Sequence, residues 1–546
     1  VFGAGGGTSS YREVEEADII LLWGSNAREA HPIYFHHILR GIRNGARLIV
    51  VDPRRTASAQ WADTWLGLDV GSDVALANAM GHEILEAGLE NRAFIEHATA
   101  CFPQYREGVQ KYTPEYAERE TGVPAAAIRE VARAYAKAGN AQLCWTLGIT
   151  EHHNALDNVL SLINLALLTG HVGRWGSGVN PLRGQNNVQG GGDMGALPNK
   201  LPAGHDVENP KDRTKFERAW KAPLPKRSGW HLSRMFEEME HGKLRCLYAI
   251  GENPAQSEAD QARALRLLGG LDHLVVQDMF LTRTAEMAHV VLPAAASWCE
   301  DEGTVTSSER RVQRVRKALE PPGQARSDLW ILAELGKRLD VDLGSPVAER
   351  VWNELRSLSS WHGGMSYERL EESNGLQWPC PDESHPGSPF LHGRLWDDPP
   401  GPLAMFVPVE HDPPVDRLTE EFPIRLTTGR RLDSYNTGVQ TAGYTSPLRR
   451  PETLDISPED GRRLDVADGE TVRATSRRGS IEVAARYDET LRPGLAFLTL
   501  HFQDDVATNI LTIDATDPKT GTAEFKASAI RIEKLHPAAA RAAAGR

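Results

Sequence analysis

The sequence predicts an α/β protein, with two Rossmann-like αβα domains followed by a C-terminal β-barrel. Three observations predict this. Two strand–helix–strand units recur with nearly equal spacing, over residues 18–52 and 245–278. A stretch rich in Pro, Asp, Gly and His, from Leu376 to Pro423, then breaks all periodicity. Beyond it come short alternating strands with tight turns, the pattern of a small barrel. The 546 residues suit three or four domains. The expected division is a first αβα domain at 1–185, a second at 186–375, a connector at 376–422 and the barrel at 423–546.

The elements follow in order. Ser10–Ala17 reads as a helix. Asp18–Gly24 is a short apolar run ending in Gly, as expected of a strand buried on both faces. Pro32–Arg43 places Ile33, Phe35, Ile38, Leu39 and Ile42 at helical spacing, and Asn44-Gly45 stops it. Arg47–Asp52 is a second buried strand, giving a right-handed βαβ unit with a parallel pair. Ser72 is the expected N-cap of a helix running to about Ala87. Pro124 and Gly139 bracket a helix over Ala125–Ala138, with a strand at Gln142–Thr146 and a long apolar helix over Asn154–Thr169. The second unit has a strand at Arg245–Ile250, a helix at Glu258–Leu268 and a strand at Leu271–Gln277. In the terminal domain, Ser457-Pro458 opens a short helix. Glu470–Ser476, Ser480–Arg486 and Gly494–Leu500 are strands.

Acidic residues number 74 and basic ones 61, a net charge of −13, which argues against a nucleic-acid binder. No apolar run reaches the length of a membrane span. The five cysteines, Cys101, Cys144, Cys246, Cys299 and Cys380, are scattered and form no CxxC pair, so no zinc or iron–sulfur cradle is read in the chain. They read as reduced thiols of a cytoplasmic protein. Cys144 and Cys246 fall on expected strands and are expected to be buried.

The paired units carry chemistry. Each first strand ends in Gly-x-Asn, at Gly24–Asn26 and Gly251–Asn253, and each second strand ends in Asp, at Asp52 and Asp278. Gly24 and Asp52 are 28 positions apart, Gly251 and Asp278 27. The tight loop after the first strand of a doubly wound fold meets phosphate through backbone N–H groups, and the acidic residue after the second meets a ribose or base edge. Two nucleotide-like sites related by duplication follow; the bland alternative is two scaffold units with incidental loops. Arg54 and Arg55 beside Asp52 suit phosphate and base recognition. Gly3–Thr8 is Gly-rich, but no strand precedes it, and it reads as a flexible turn.

The most unusual stretch is polar and Gly-rich, from Asn180 to Pro198, with Arg183-Gly-Gln185 at its centre. It shows neither helical nor strand periodicity. One arginine among amides suits a small planar anion. This stretch closely resembles the signature of formate dehydrogenase catalytic (alpha) subunits, in the molybdopterin oxidoreductase family. The resemblance also covers Ser25–Pro32, Val51–Arg55, Gly148–Asn154, Leu167–Gly173, Gly251–Pro254, Val276–Asp278, Thr428–Arg431 and Asp517–Lys526.

The resemblance implies two molybdopterin guanine dinucleotides around one molybdenum or tungsten, and a barrel of the double-psi type. It implies that Asn26, Glu29, Asp52, Arg54, Leu68, Gly71, Ser72 and Asp73 serve one dinucleotide, and that Gly24, Leu147, Gly148 and Glu151 also bind cofactor. It implies that Gly251, Glu252, Asn253, Ser257, Gln277 and Asp278 serve the other, and that Thr428, Gly429, Arg430, Tyr435, Asn509 and Lys526 close the barrel over both. Glu29 and Glu151 stand where Asp and Gln are commoner in the family. Formate is the implied substrate and carbon dioxide the product, in a two-electron oxidation. Arg183 would hold the carboxylate and Gln185 orient it; hydride transfer and separate proton and electron transfer both stay open. The family's Cys or selenocysteine metal ligand, its adjoining His, a 4Fe-4S site and a Lys lie upstream of the segment matching Val1. The chain is therefore expected to be a fragment of a catalytic subunit, passing electrons to an iron–sulfur or NAD-linked partner, and none of its own residues is assigned to the metal.

Other features are weaker. His152, His153 and Asp157 imitate metal-ligand spacing but lack a further ligand, so they read as a helix start beside the cofactor. His36 and His37 read as surface and packing residues. Trp298–Gly303 with Arg310-Arg311 resembles a family loop near a substrate funnel, with a solvated acidic turn as the alternative. Two rival functions remain: another bis-pterin oxidoreductase such as a nitrate reductase, and a metal-free structural subunit of the same fold.

Overall fold

The computed structural model describes residues 1–432, 434, 436, 437 and 450–535. In the first αβα unit, β1 (Ile19–Trp23), β2 (Arg47–Val51), β3 (Thr64–Leu66), β4 (Ala141–Trp145) and β5 (Gly178–Pro181) form a parallel sheet in the order β3-β2-β1-β4-β5. Helix α1 (Pro32–Arg43) packs Tyr34, Phe35 and Ile38 on one face of the sheet. Helices α2 (Asp73–Glu86), α3 (Ala125–Lys137) and α4 (Ala155–Thr169) cover the other. All five residues of β1 are buried, as a strand covered on both faces requires. The chain order reverses between β1 and β4, and that opens a crevice at their C-terminal ends.

Two readings of the first unit need correction. Ser10–Ala17 is a 3-10 helix, Tyr11–Glu16, held at its start by Ser10 N–H and Oγ bonded to Glu13 Oε1 at 2.6 and 2.9 Å. Six residues give a tight turn without room for α-helical propagation. The Asn180–Pro198 stretch is not all irregular. Its first residues end β5, paired to β4, and Val188–Asp193 forms helix α5. Pairing to an existing sheet edge needs no side-chain periodicity. A Cβ at Gly190 of α5 would meet Thr306 Oγ1 at 3.1 Å, so close packing calls for glycine there.

In the second unit β6 (Cys246–Ile250), β7 (His273–Asp278) and β8 (Val290–Pro293) are parallel. Helices α6 (Leu232–Glu240) and α7 (Gln261–Gly269) supply Phe236, Met239, Leu267 and Leu268 to its core. The helix expected from Glu258 begins at Gln261, because Asp260 sits at φ +47° and caps it by accepting Arg263 N–H at 3.2 Å. Cys144 is buried as expected, but Cys246 is exposed. It lies at the start of an edge strand, on the side away from the core.

The C-terminal strands β9 (Ile424–Gly429), β10 (Thr453–Ile456), β11 (Thr471–Thr475), β12 (Ser480–Tyr487), β13 (Leu495–Thr499) and β14 (Ser528–Lys534) close into a barrel, ordered β9-β13-β10-β12-β11-β14. The pairs β9–β13 and β10–β12 are parallel and the others antiparallel. Leu426, Ile456, Val472, Val483, Leu498 and Ile530 fill it. Ser457 caps the helix Pro458–Arg463, accepting Asp460 N–H at 3.0 Å. The connector runs along the first unit. Ala404–Met405 pairs with Thr99–Ala100, and the Asn164 amide brackets Val407 at 2.7 and 3.1 Å. Among the described residues, no helix is long and apolar enough to cross a membrane.

Candidate cofactor-binding cavity

A cavity of about 750 Å³ lies where the strand ends of both αβα units face the barrel. Its first wall is the crevice between β1 and β4. Gly24, at φ +57°, follows β1, and Gly148 follows β4. A Cβ on Gly24 would come within 2.8 Å of the Gly148 carbonyl carbon, and one on Gly148 within 2.5 Å of Gly24 O. Two glycines therefore let the two loops touch and leave the cavity open beside them.

The two units are duplicated down to single hydrogen bonds. Gly24 N–H donates to Val51 O at 2.8 Å; Gly251 N–H donates to Gln277 O at 2.8 Å. Asn26 Oδ1 accepts from the N–H and hydroxyl of Ser58 at 3.2 and 3.1 Å. Asn253 Oδ1 accepts from the N–H and hydroxyl of Thr284 at 3.1 and 2.8 Å. The same hydroxyls accept Arg28 N–H at 2.9 Å and Ala255 N–H at 3.0 Å. Asn26 Nδ2 donates to Glu29 at 2.9 Å, and Asn253 Nδ2 to Gln256 at 2.7 Å. Asp52 accepts Arg54 N–H at 2.9 Å, and Asp278 accepts Phe280 N–H at 3.1 Å. Matched spacing finds Gly, Asn and Asp but misses Ser58, Thr284 and Gln256. A hydroxyl residue six positions past each Asp was the available signal.

The cavity gathers most of the candidate residues. Gly24, Asn26, Asp52, Arg54, Leu68, Gly71 and Asp73 line it from the first unit, with Leu147, Gly148 and Glu151 after β4. Gly251, Glu252, Asn253, Ser257 and Asp278 line it from the second unit. Thr428, Gly429, Arg430, Asn509 and Lys526 close it from the barrel, and Gln185 reaches it from the polar stretch. Asn509 Nδ2 also ties the barrel to Gln256 O and Ser257 O at 3.2 and 3.1 Å. Tyr435 lies outside the described residues.

Four candidates stand behind this lining. Glu29 sits behind Asn26. Ser72, at the start of α2, donates its hydroxyl to Asp69 O at 2.6 Å and makes no side-chain cap bond, contrary to its expected capping role. Gln277 is fully buried, donating to Asp328 at 2.5 Å and accepting from Tyr248, so only its backbone serves the loop. Arg183 donates Nε to Gln189 at 3.1 Å and Nη2 to Gly5 O at 2.8 Å. Gln189 in turn donates to Asp193 at 2.8 Å, whose other oxygen takes the Trp378 indole at 2.7 Å. Burial pushes Asp193 up to about 6, against Gln189, Trp378 and Arg183. His31 Nε2 donates to Arg183 O at 2.8 Å, and its buried Nδ1 has no partner. Trp298 lines the mouth, half exposed, while Arg310 is fully buried on backbone oxygens of Gly7, Ser388 and Pro389.

The charges suit an anionic, purine-bearing ligand. Burial pushes Asp52 up to about 6, opposed by Arg54. Asp73 is raised by burial and accepts the Trp23 indole at 2.8 Å. Arg54 stacks 3.6 Å over Phe497 of the barrel, and Lys526 pairs with Glu151 at 2.8 Å. Around Asp278 the neighbours are acidic: Glu252 is raised by burial and by Asp278. A Cβ at Gly251 would meet nothing within 4 Å, so the loop leaves open space there for a ligand. Cations for a diphosphate, carboxylates for a guanine edge and glycine loops open beside them are the set a dinucleotide needs. The residues present fit a pair of such groups.

Comparisons agree with this geometry. Residues 4–338 match the molybdopterin oxidoreductase family and 424–529 the molybdopterin dinucleotide binding domain. The chain is 40% identical, over 98% of its length and 79% of the relative's, to F420-dependent formate dehydrogenase 2 subunit alpha of Methanococcus maripaludis. It is 37% identical to formate dehydrogenase H of Escherichia coli, over 98% of this chain and 75% of that one. Acetylene hydratase from Pelobacter acetylenicus shares the fold, with a TM-score of 0.73 at 19% identity over 97% of this chain and 79% of that one. With a family match over more than half its residues and relatives alike along nearly all of them, the chain belongs to the molybdopterin oxidoreductase family.

Proposed function

We propose that this chain is the main part of a formate dehydrogenase catalytic subunit, oxidising formate to carbon dioxide at a molybdenum or tungsten centre held by two molybdopterin guanine dinucleotides. The observation that carries the reading is the duplicated hydrogen-bond network, which aims two equivalent nucleotide loops into one cavity. The relatives named formate dehydrogenase supply the substrate. Asp52 and Asp278 take the guanine edges, and Arg54, Arg430 and Lys526 neutralise phosphate. When bound, the metal–pterin group supplies the two-electron redox chemistry. The chain's own work is positioning. Arg183, whose Nε and Nη2 are held behind the lining by Gln189 and Gly5 O, offers its remaining guanidinium N–H groups to the formate carboxylate, and Gln185 orients it from the cavity wall. Electrons leave to an iron–sulfur or NAD-linked partner.

Metal and nucleotide analysis of the purified full protein tests the cofactor. Near one molybdenum or tungsten and two guanine nucleotides per chain are expected. Arg183→Lys should keep that content yet lose formate turnover about 100-fold, since a point charge cannot replace a planar fork. Near-normal turnover with normal metal content would overturn the role of Arg183.

A further inference from the structure

Along one rim of the cavity, barrel residues 515–526 lie against residues 151–157 of the first unit. Phe525 N–H donates to Glu151 O at 3.2 Å, and Leu156 N–H to Asp517 at 2.8 Å. Lys519 donates to Asp157 at 2.5 Å, and Lys526 pairs with Glu151 at 2.8 Å. At the centre stands Glu524, with no exposed surface. Its Oε1 lies 3.3 Å from His152 Nδ1. Its Oε2 lies 3.4 Å from His153 Nδ1 and accepts His153 N–H at 3.1 Å. His152 is itself cavity lining, 2% exposed, and its Nε2 donates to Gly148 O at 3.1 Å. His153 Nε2 meets Asp412 of the connector at 3.1 Å, where the carboxylate reaches solvent.

We propose that Glu524, His152 and His153 form a protonation-controlled latch that holds the barrel shut over the cavity's dinucleotides. This rests on the cofactor reading above. A ligand of that size, lined by both αβα units and the barrel, is freed most readily when one of them moves. The barrel is the natural mover, because it has its own apolar core and meets the first unit here through polar and charged groups. A fully buried carboxylate stays seated only while its counter-charges remain.

The surrounding charges set the direction. Burial opposes a charged His152, but Glu524 and Asp73 outweigh it and hold it above the usual value, with Lys526 acting against them. Burial likewise opposes a charged His153, and Glu524 and Asp412 hold it up. Burial would raise Glu524, yet the two histidines hold it well below the carboxylate range. Arg425 faces Glu524 from β9, and His411, itself lowered by burial, lies beyond Asp412 with Glu120 at 3.9 Å. Raised histidines contribute stability that is complete below about pH 6.5 and lost as pH rises through their folded values. The depressed Glu524 contributes above about pH 4.5 and is lost only in stronger acid. The latch therefore holds in mildly acidic solution and loosens on the alkaline side.

Hydrogen exchange of the cofactor-free full chain tests the latch without any cofactor. After correction for intrinsic rates, residues 515–526 should exchange about tenfold faster at pH 9 than at pH 6, while β10 and β12 change little. Glu524→Gln should remove that pH dependence. If that variant does not fold, Asp412→Asn, at the exposed end, should move the rise to lower pH. Wild-type protection independent of pH, or an unaltered rise in both variants, would overturn the latch. A second readout is pterin fluorescence released from the holoenzyme, expected to be severalfold faster at pH 9 than at pH 6. A protein with no pterin to release defeats the cofactor reading alone, and the exchange experiment still decides the latch.

Discussion

Asp52 sits where burial penalises its charge, at the end of β2 with 8% exposure and a carboxyl pushed up to about 6. Its folded value lies above the unfolded one near 4, so the native state binds the proton more tightly. Stability therefore falls as pH rises from about 4 to 6, and the cost is complete above that window. At 1.4 kcal/mol per unit, the penalty at pH 7 is roughly 2–3 kcal/mol. Asp52→Asn should stabilise the cofactor-free chain by about that much at pH 7 and by little at pH 4, as read from urea midpoints. The same variant should lose affinity for guanosine diphosphate. Destabilisation at pH 7 would show that Asp52 is there for the fold rather than for a ligand. Gly24 answers to sterics instead. Its φ of +57° and the 2.8 Å approach to Gly148 leave no space for a methyl group. Gly24→Ala should cost about 2–4 kcal/mol in thermal unfolding and deplete bound pterin. A variant as stable as the parent would show that the two loops can separate.

At the scale of elements, the paired loops are the same device used twice. Ser58 and Thr284 each donate a hydroxyl to an asparagine and accept one backbone N–H. Ser58→Ala and Thr284→Val remove the same bonds, so each should destabilise by about 1–3 kcal/mol, with similar losses of nucleotide affinity. Calorimetric binding of guanosine diphosphate would show it, and an effect confined to one unit would break the equivalence. Much of this is legible in the sequence alone. Gly24 and Asp52 end apolar runs, and apolar runs announce buried strands whatever their partners. Ser58 was missed, because its bonds join two loops 32 residues apart and only the hydroxyl repeated six positions past each Asp hinted at them. Residues 178–181 were missed as a strand for a related reason: β5 owes its form to the edge of β4 beside it. Cys246 misled because a strand shows its apolar content in sequence but not which of its sides a helix will cover.

The whole molecule is three bodies around one cavity, and its cooperativity should reflect that. The first αβα unit has an apolar core on each face of its sheet. The barrel has a core of its own. Between them the contacts are ion pairs and single hydrogen bonds, such as Arg492 to Asp69 at 2.8 Å and Arg55 N–H to Thr490 O at 3.2 Å, with the small apolar cluster of Val70, Leu491, Leu495 and Phe497. Apolar burial couples bodies in proportion to the area removed from water, and partly exposed ion pairs add little each. The cofactor-free chain should therefore unfold in more than one calorimetric step, with the barrel as a separate transition. Ligands that bridge the bodies change this, because they bind only the assembled state. At a free concentration a hundredfold above its dissociation constant, such a ligand adds about 2.7 kcal/mol. For a barrel of this size that amounts to a rise of roughly 10 °C. Guanosine diphosphate reaches each nucleotide loop but spans less of the cavity than a pterin dinucleotide. It should raise the barrel transition only in part, whereas the holoenzyme should melt in a single step. If the cofactor-free chain already melts as one transition, and loading shifts it without changing its shape, then the polar seams are as strong as the cores and the barrel does not move independently.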